Sequence, residues 1–277
     1  MQIAFYSTMK PPDHPTPSGD RTMANLLLAA IREAGHTVSV ASKLRSYSKV
    51  PDIDNLRAAA DDEVRRLLSL WATSGVSERP GLWFTYHPYY KAPDLVGPAV
   101  AGLLGVPYVT AEASYSSRRQ ADEWADMQTP VVEAVRQACV NFCLTPIDRE
   151  GLGAIAAPGA LADLPAFLDT SRFCDVPAAR TRHLPCRLLT VAMMRPGVKV
   201  QSYGMLAAAL NALGTADWHL TVIGDGPART EVHKLFGALP QERISWLGEQ
   251  PGDRVRDELQ QADVFVWPGF GEAYGLA

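Results

Sequence analysis

The 277-residue chain reads as an α/β protein made of two successive parallel-sheet units. Three observations carry that expectation. Short apolar runs alternate with segments whose apolar residues recur at helical spacing, the pattern of right-handed strand–helix–strand crossovers. The pattern breaks once, around Leu164-Pro165-Ala166-Phe167-Leu168-Asp169 with Pro177 and a cluster of Arg and Ala behind it, and then restarts. The length suits two moderate domains, residues 1–166 and 167–277, which joined in this way would face each other across a cleft.

In the first unit, residues 3–7 form an apolar strand that runs into the loop Lys10-Pro11-Pro12-Asp13-His14-Pro15-Thr16-Pro17-Ser18-Gly19-Asp20. Met23, Leu26, Leu27, Ala30, Ile31 and Ala34 then mark one helix face, which Gly35 stops. Further strands are expected at 38–41, 82–86, 108–111 and 140–145, separated by helical stretches that include 54–71, 93–104 and 121–138. In the second unit, 188–193, 220–223, 244–247 and 264–267 read as strands, the last of them buried. Tyr203, Leu206, Leu210 and Leu213 share one face of the helix that follows the first.

Composition narrows the function classes. Hydrophobic residues at 47% supply two real cores, and a net charge of −4 leaves no basic field of the kind that binds nucleic acid. That balance still permits a local cationic pocket for an anionic small molecule. The N-terminus lacks a basic, then apolar leader, and no window is apolar for long enough to span a membrane, so a cytoplasmic protein is expected. Cys139, Cys143, Cys174 and Cys186 lack paired metal-ligand spacing and read as reduced structural thiols. Asp52-Ile53-Asp54 precedes a helix and reads as its cap rather than as a metal site.

Ligands of parallel sheets bind beyond the carboxyl ends of the strands, and three second-unit turns sit there. Met193-Met194-Arg195-Pro196-Gly197-Val198-Lys199 places two cations and a glycine between a strand and a helix. That is a setting for a diphosphate, or else a solvated basic turn. Val222-Ile223-Gly224-Asp225-Gly226-Pro227 is a tight turn that permits close backbone approach, or a plain strand–helix turn; it lacks the dinucleotide glycine spacing and the phosphate-loop lysine. Pro268-Gly269-Phe270-Gly271-Glu272 carries a carboxylate that could accept sugar hydroxyls, or is an exposed loop acid.

In order and separation these turns resemble the donor-binding domain of GT-B glycosyltransferases, specifically the retaining family 4. The resemblance extends over the whole chain, through Gly35-His36-Thr37-Val38 and the 164–169 segment. It implies a GT-B-like fold of two Rossmann-like domains, the second incomplete, because the partner glutamate of a Glu-x7-Glu motif would fall just past Ala277. For this exact chain it implies reduced stability and little transfer. Arg195 and Lys199 are then implied to hold a nucleotide diphosphate, with Gly19 and Gly224 in donor loops; Asp20, beside Gly19, reads as a helix N-cap. Trp246 and Leu247 would line the base and Glu272 would grip the sugar, so that Glu272, Arg195 and Lys199 are the catalytic candidates. His87 and Glu112, each just past a first-unit strand, are acceptor-side candidates, or His87 is a structural histidine packed under its aromatic neighbours; relatives often carry histidine where Glu112 falls. Tyr89, Tyr90 and Tyr115 could form an acceptor platform or pack ordinarily.

The implied reaction is retaining transfer from a nucleotide-diphosphate sugar to a hydroxyl acceptor, glycan, lipid or small molecule, without a metal or other cofactor. Arg65-Arg66 and Arg118-Arg119 leave room for peripheral contact with an anionic membrane. The alternatives are a non-catalytic nucleotide-sugar-binding remnant and another GT-B enzyme such as a nucleotide-sugar epimerase.

Overall fold

A computed structural model of the chain describes residues 1–16, 18–171 and 184–271. The chain divides into two units, Met1–Leu168 and Asp169–Ala277.

The first unit alternates β1 (Gln2–Ser7), α1 (Gly19–Glu33), β2 (Thr37–Ser42), α2 (Ile53–Thr73), β3 (Leu82–Tyr86), α3 (Gly97–Leu104) and β4 (Tyr108–Ala111). It continues through α4 (Ala125–Gln137), β5 (Val140–Cys143), α5 (Pro146–Gly153) and β6 (Leu161–Asp163). The six strands lie in the order β2-β1-β3-β4-β5-β6, every neighbouring pair parallel. Strand alternation sorts the aromatics into two layers. Phe5 stacks on Phe84, and Phe84 on Phe142, at 5.7 and 6.4 Å between centroids. Tyr6, Trp83 and Trp71 of α2 meet edge to face in the other layer.

Several elements begin or end where a polar side chain intervenes. Ser18, not Asp20, caps α1, its Oγ accepting from the Arg21 N–H at 3.3 Å. The helix expected from residue 93 starts at Gly97, because buried Asp94 accepts from the Val96 and Gly97 N–H groups at 2.9 and 2.7 Å. That expected from 121 starts at Ala125, after Asp122 accepts from the Trp124 N–H. β5 ends at Cys143 rather than 145 because Thr145 caps α5: its Oγ1 accepts from the Asp148 N–H while the Asp148 carboxylate accepts from the Thr145 N–H. Thr145→Ala removes the side-chain acceptor and is expected to cost about 1 kcal/mol in urea unfolding. A loss of several kcal/mol, or none, would count against the cap. β6 carries no apolar run and is recruited by pairing with β5 at the sheet edge.

The second unit contains β7 (Cys186–Val191), α6 (Val198–Ala212), β8 (Trp218–Ile223), α7 (Arg229–Leu235), β9 (Ile244–Gly248), α8 (Gly252–Gln261) and β10 (Val264–Phe265). Its parallel sheet has the order β10-β7-β8-β9. Leu188, Leu220 and Val222 pack with Tyr203, Leu206 and Phe236 in one layer; Leu189 and Ile223 meet Val255 and Leu259 in the other. The run 264–267 does not form a buried strand. Two of its residues pair with β7 at the sheet edge, leaving Val264 46% and Phe265 40% exposed.

Cys139, Cys143 and Cys186 are free thiols, and Cys174 lies outside the described residues. Among the described residues no helix is long and apolar enough to cross a membrane, and no cluster of His, Cys, Asp and Glu is arranged to hold a metal ion.

Candidate functional site

In the second unit the loops beyond β7, β8 and β9 are laced together by main-chain hydrogen bonds. Ala192 N–H donates to Ile223 O (3.0 Å), Met194 N–H to Asp225 O (2.9 Å) and Ala228 N–H to Met194 O (3.0 Å). Gly224 N–H reaches Gly248 O at 2.8 Å. The lacing explains the glycines. Gly224 and Gly226 have φ of +141° and +153°, and a Cβ on either would lie 1.8 Å from Ala192 O or 2.3 Å from Met194 O. The close approach that the Gly-Asp-Gly turn permits is thus approach by the neighbouring loop. Asp225 is also engaged internally, accepting from the Gly226 N–H and from Arg229 at 2.8 and 3.0 Å.

This frame holds the turn carrying Arg195 and Lys199. Gly197, at φ +89°, occupies the N-cap position of α6 without a side-chain cap, and no acid lies in the first turn. Gly197 therefore supplies no side-chain cap to the first N–H groups of this 15-residue helix. Lys199 adds positive charge in that first turn, where the helix dipole is already positive, an arrangement that an anion relieves. Lys199 Nζ lies 5.4 Å from the Trp267 ring centroid, and Trp267 packs edge-on against Tyr203 at 5.0 Å. The Tyr203 hydroxyl donates to Ala192 O at 2.7 Å, and burial pushes its pKa up.

The segment after β10 folds onto the same helix start. Phe270 N–H donates to Ser202 Oγ, which itself donates to Val198 O, both at 3.0 Å. A Cβ on Gly271 would sit 3.1 Å from Val198 Cγ1. Glu272 lies outside the described residues.

Trp246 and Leu247 are not brought together. Adjacent strand residues point to opposite faces. Trp246 stacks on His233 at 4.0 Å and meets Phe236 edge-on in the α6–α7 layer, whereas Leu247 packs with Val255 and Leu259 of α8.

In the first unit the structure joins residues that the sequence keeps apart. Gly19 opens α1, with open space where a Cβ would stand. Asp20, next in the first turn, bonds through Oδ1 to His87 Nδ1 at 2.9 Å. His87 and Glu112 directly follow β3 and β4, and both take left-handed backbone conformations, with φ of +59° and +56°. Such conformations cost non-glycine residues on the order of 1–3 kcal/mol and persist where neighbours enforce them. Here His87 N–H donates to Ala111 O, Glu112 N–H to Phe142 O and Thr8 Oγ1 to His87 O, all within 2.9 Å.

Burial works against a charged His87, but the Asp20 hydrogen bond and the Glu112, Asp20 and Asp148 carboxylates outweigh it and raise its pKa above an ordinary histidine's. Burial likewise opposes the Asp20 charge, and the His87 contact prevails, holding that carboxyl below its usual value.

The tyrosines are built into packing. Tyr89 stacks on the His87 ring at 5.0 Å, and Tyr90 lies between Trp124 (5.1 Å) and the Arg119 guanidinium (4.4 Å). Tyr115 packs against Val131, Leu152 and their neighbours. Asp52 takes the N-cap position of α2 and Asp54 its first turn. Arg65 pairs with Asp62, Arg66 with Glu63 and Arg119 with Asp122.

Residues 185–277 match a family model described as "Glycosyl transferases group 1". No curated protein sequence matches the chain. Several solved structures share its fold. A lipopolysaccharide outer core galactosyltransferase, WaaB, has 15% identity and a TM-score of 0.59, over 96% of this chain and 74% of that one. Sucrose-phosphate synthase from Thermosynechococcus elongatus has 16% identity and a TM-score of 0.62, over 99% and 77% of the two chains. UDP-GlcNAc 2-epimerase from Methanocaldococcus jannaschii has 10% identity and a TM-score of 0.55, over 96% and 78%. The architecture of two parallel-sheet, Rossmann-like units is thus of the GT-B type.

Proposed function

We propose, on the premise that the second unit is a group 1 glycosyltransferase domain, that the chain moves a glycosyl group from a nucleotide-diphosphate sugar to a hydroxyl acceptor with retention of anomeric configuration. The observation that carries this reading is the start of α6. Its uncapped, acid-free first turn, with Arg195 before it and Lys199 within it, is held by the laced loops and lies inside the matched segment.

As the glycosidic bond breaks, the sugar takes on oxocarbenium character and negative charge grows on the departing diphosphate. Arg195, Lys199 and the first N–H groups of α6 are fixed in advance where that charge develops, which stabilises the transition state more than the ground state. Three such positive groups supply the role that a metal ion fills elsewhere, so a metal-independent reaction is expected. The departing phosphate accepts the proton of the incoming hydroxyl. Glu272 orients the donor sugar, and His87 and Glu112 receive the acceptor.

Titration calorimetry with UDP, GDP and ADP tests the site. One nucleotide is expected to bind, and each of Arg195→Ala and Lys199→Ala to weaken it by about tenfold or more, the scale of a lost charge-assisted hydrogen bond. Binding that survives the double substitution would remove the diphosphate from this turn. The similarity to a 2-epimerase favours a nucleotide-sugar epimerase as the second reading. Incubating the donor alone and following its anomeric and ring protons by NMR separates the two: an epimerised nucleotide sugar supports the second reading, transfer to an added hydroxyl the first.

A further inference from the structure

We propose that Asp20 is the positioning residue of the acceptor side: it fixes His87 so that Nε2 accepts a hydrogen bond from a hydroxyl of the acceptor. The identity of the ligand rests on the transferase reading above; the arrangement of the two side chains does not.

An ionised carboxylate only accepts, so the 2.9 Å contact requires Nδ1 of His87 to carry a proton. In the neutral imidazole the other nitrogen then presents a lone pair. Nε2 has no hydrogen-bond partner among the described residues, and it is absent from their sealed, unpartnered polar atoms. The His87 side chain keeps 18% of its surface exposed, so that lone pair is open to a ligand. The ring is restrained by its bond to Asp20 and by its neighbours. Its main chain is tied to Ala111 and Thr8, and Tyr89 covers one face at 25° to the ring plane.

The charges nearby select the ligand class. Asp20 comes from α1, Glu112 from the end of β4 and Asp148 from the start of α5; Lys10, which donates to Ser18 Oγ at 3.2 Å, acts on Asp20. Three carboxylates against one lysine and one imidazole disfavour a phosphate or carboxylate ligand and suit neutral hydroxyls, which donate to acceptors. The site therefore fits a polyhydroxyl acceptor of sugar type. Protonation of His87 turns Nε2 from acceptor to donor, so acceptor use falls as pH drops through the imidazole's own value.

The experiment compares the full chain with Asp20→Asn, which removes the charge while keeping a hydrogen-bonding amide, and with His87→Gln; melting curves establish that each is folded. Imidazole nitrogen NMR is expected to show neutral His87 protonated on Nδ1, and Asp20→Asn to move its titration to lower pH. Methyl glycosides serve as acceptor probes. Above the titration of His87 in both proteins, where the ring is neutral, their apparent KM should rise about tenfold in Asp20→Asn, the scale of one hydrogen bond to a charge-oriented group, with nucleotide affinity unchanged. The acid limb of the glycoside pH profile should move down with the His87 titration and vanish in His87→Gln.

Neutral His87 protonated on Nε2 would overturn the proposal, as would Asp20→Asn with an unchanged titration and unchanged glycoside KM. If the chain shows no turnover, the transferase reading fails separately. Glycoside-induced shifts of the wild-type His87 signals that weaken in Asp20→Asn would then uphold the positioning role, and their absence from the wild type would end it.

Discussion

Gly224→Ala is expected to be the most damaging small substitution in the second unit. A methyl group there would lie 1.8 Å from Ala192 O and 2.8 Å from Ala192 C, both main-chain atoms that cannot rotate aside. The backbone φ of +141° also falls where only glycine is comfortable. Overpacking and backbone strain together suggest a loss on the order of 2–6 kcal/mol in urea unfolding. The effect should reach the ligand, because Ala192–Met194 is the segment whose lacing holds Arg195 in place. Nucleotide affinity is therefore expected to fall with stability.

Two other glycines calibrate the series. Gly197→Ala meets no atom of the described residues within 4 Å and carries the strain of φ +89°, for a smaller cost of about 1–3 kcal/mol. Gly19→Ala has neither a contact among the described residues nor a positive φ and should be neutral or slightly stabilising. A Gly224→Ala variant that unfolds like wild type and binds nucleotide normally would show that the laced loops do not support the site.

What the sequence disclosed follows from the range of its signals. Apolar runs such as 82–86 and 108–111 have one physical cause, burial in a parallel sheet, and their bounds coincide with β3 and β4. The cation-bearing turn was legible for the same reason, since it must follow the buried strand β7. Partnerships across the chain were not. Nothing local marks Asp20 as the partner of His87, which lies 67 residues away, and Asp20 reads equally well as a helix cap. The Gly224 turn showed that something approaches closely, but not that the visitor is Ala192. The resemblance grouped Trp246 and Leu247 as one base-lining feature; strand geometry sends their side chains to opposite layers. β6, with the composition Leu-Ala-Asp, has no apolar pattern to read and exists because β5 offers an unpaired edge. The apolar run 264–267 misled in the opposite direction, as apolarity alone does not separate an interior strand from an edge.

Asp94 is expected to be the residue on which the first unit depends most, although it stands outside every ligand motif. It is 1% exposed and gathers four donors: the Val96 and Gly97 N–H groups on Oδ1, and Thr85 Oγ1 and the Tyr108 hydroxyl on Oδ2 at 2.5 and 2.9 Å. Thr85 Oγ1 in turn accepts from Trp83 Nε1 at 2.8 Å, so one carboxyl organises β3, β4 and the start of α3. The packing around it is tight enough that a Cβ on Gly97 would lie 2.3 Å from Asp94 Oδ2 and 2.4 Å from Trp83 Nε1. Asp94→Ala strands four buried donors and should cost on the order of 3–5 kcal/mol. Asp94→Asn should cost less, because its amide oxygen still serves the two N–H groups and both hydroxyls can turn to accept from the amide nitrogen.

The two variants also differ in their response to pH. Burial raises the Asp94 carboxyl above its ordinary value, against the pull of Thr85, Gly97, Tyr108 and Val96. The folded chain thus holds this proton more tightly than the unfolded chain does. Its contribution to stability is fully present below the ordinary carboxyl value and is lost as pH rises through the raised folded value. Asp94→Asn cannot ionise and lacks that decline, so its stability relative to wild type should improve as pH rises across the window. Urea unfolding of both variants from acid to neutral pH reads the two effects together. A wild-type-minus-Asn difference that stays flat, or grows with pH, would mean that the four donors stabilise the carboxylate at least as much as burial opposes it, and that the cluster works as a buried charge rather than as a shared proton.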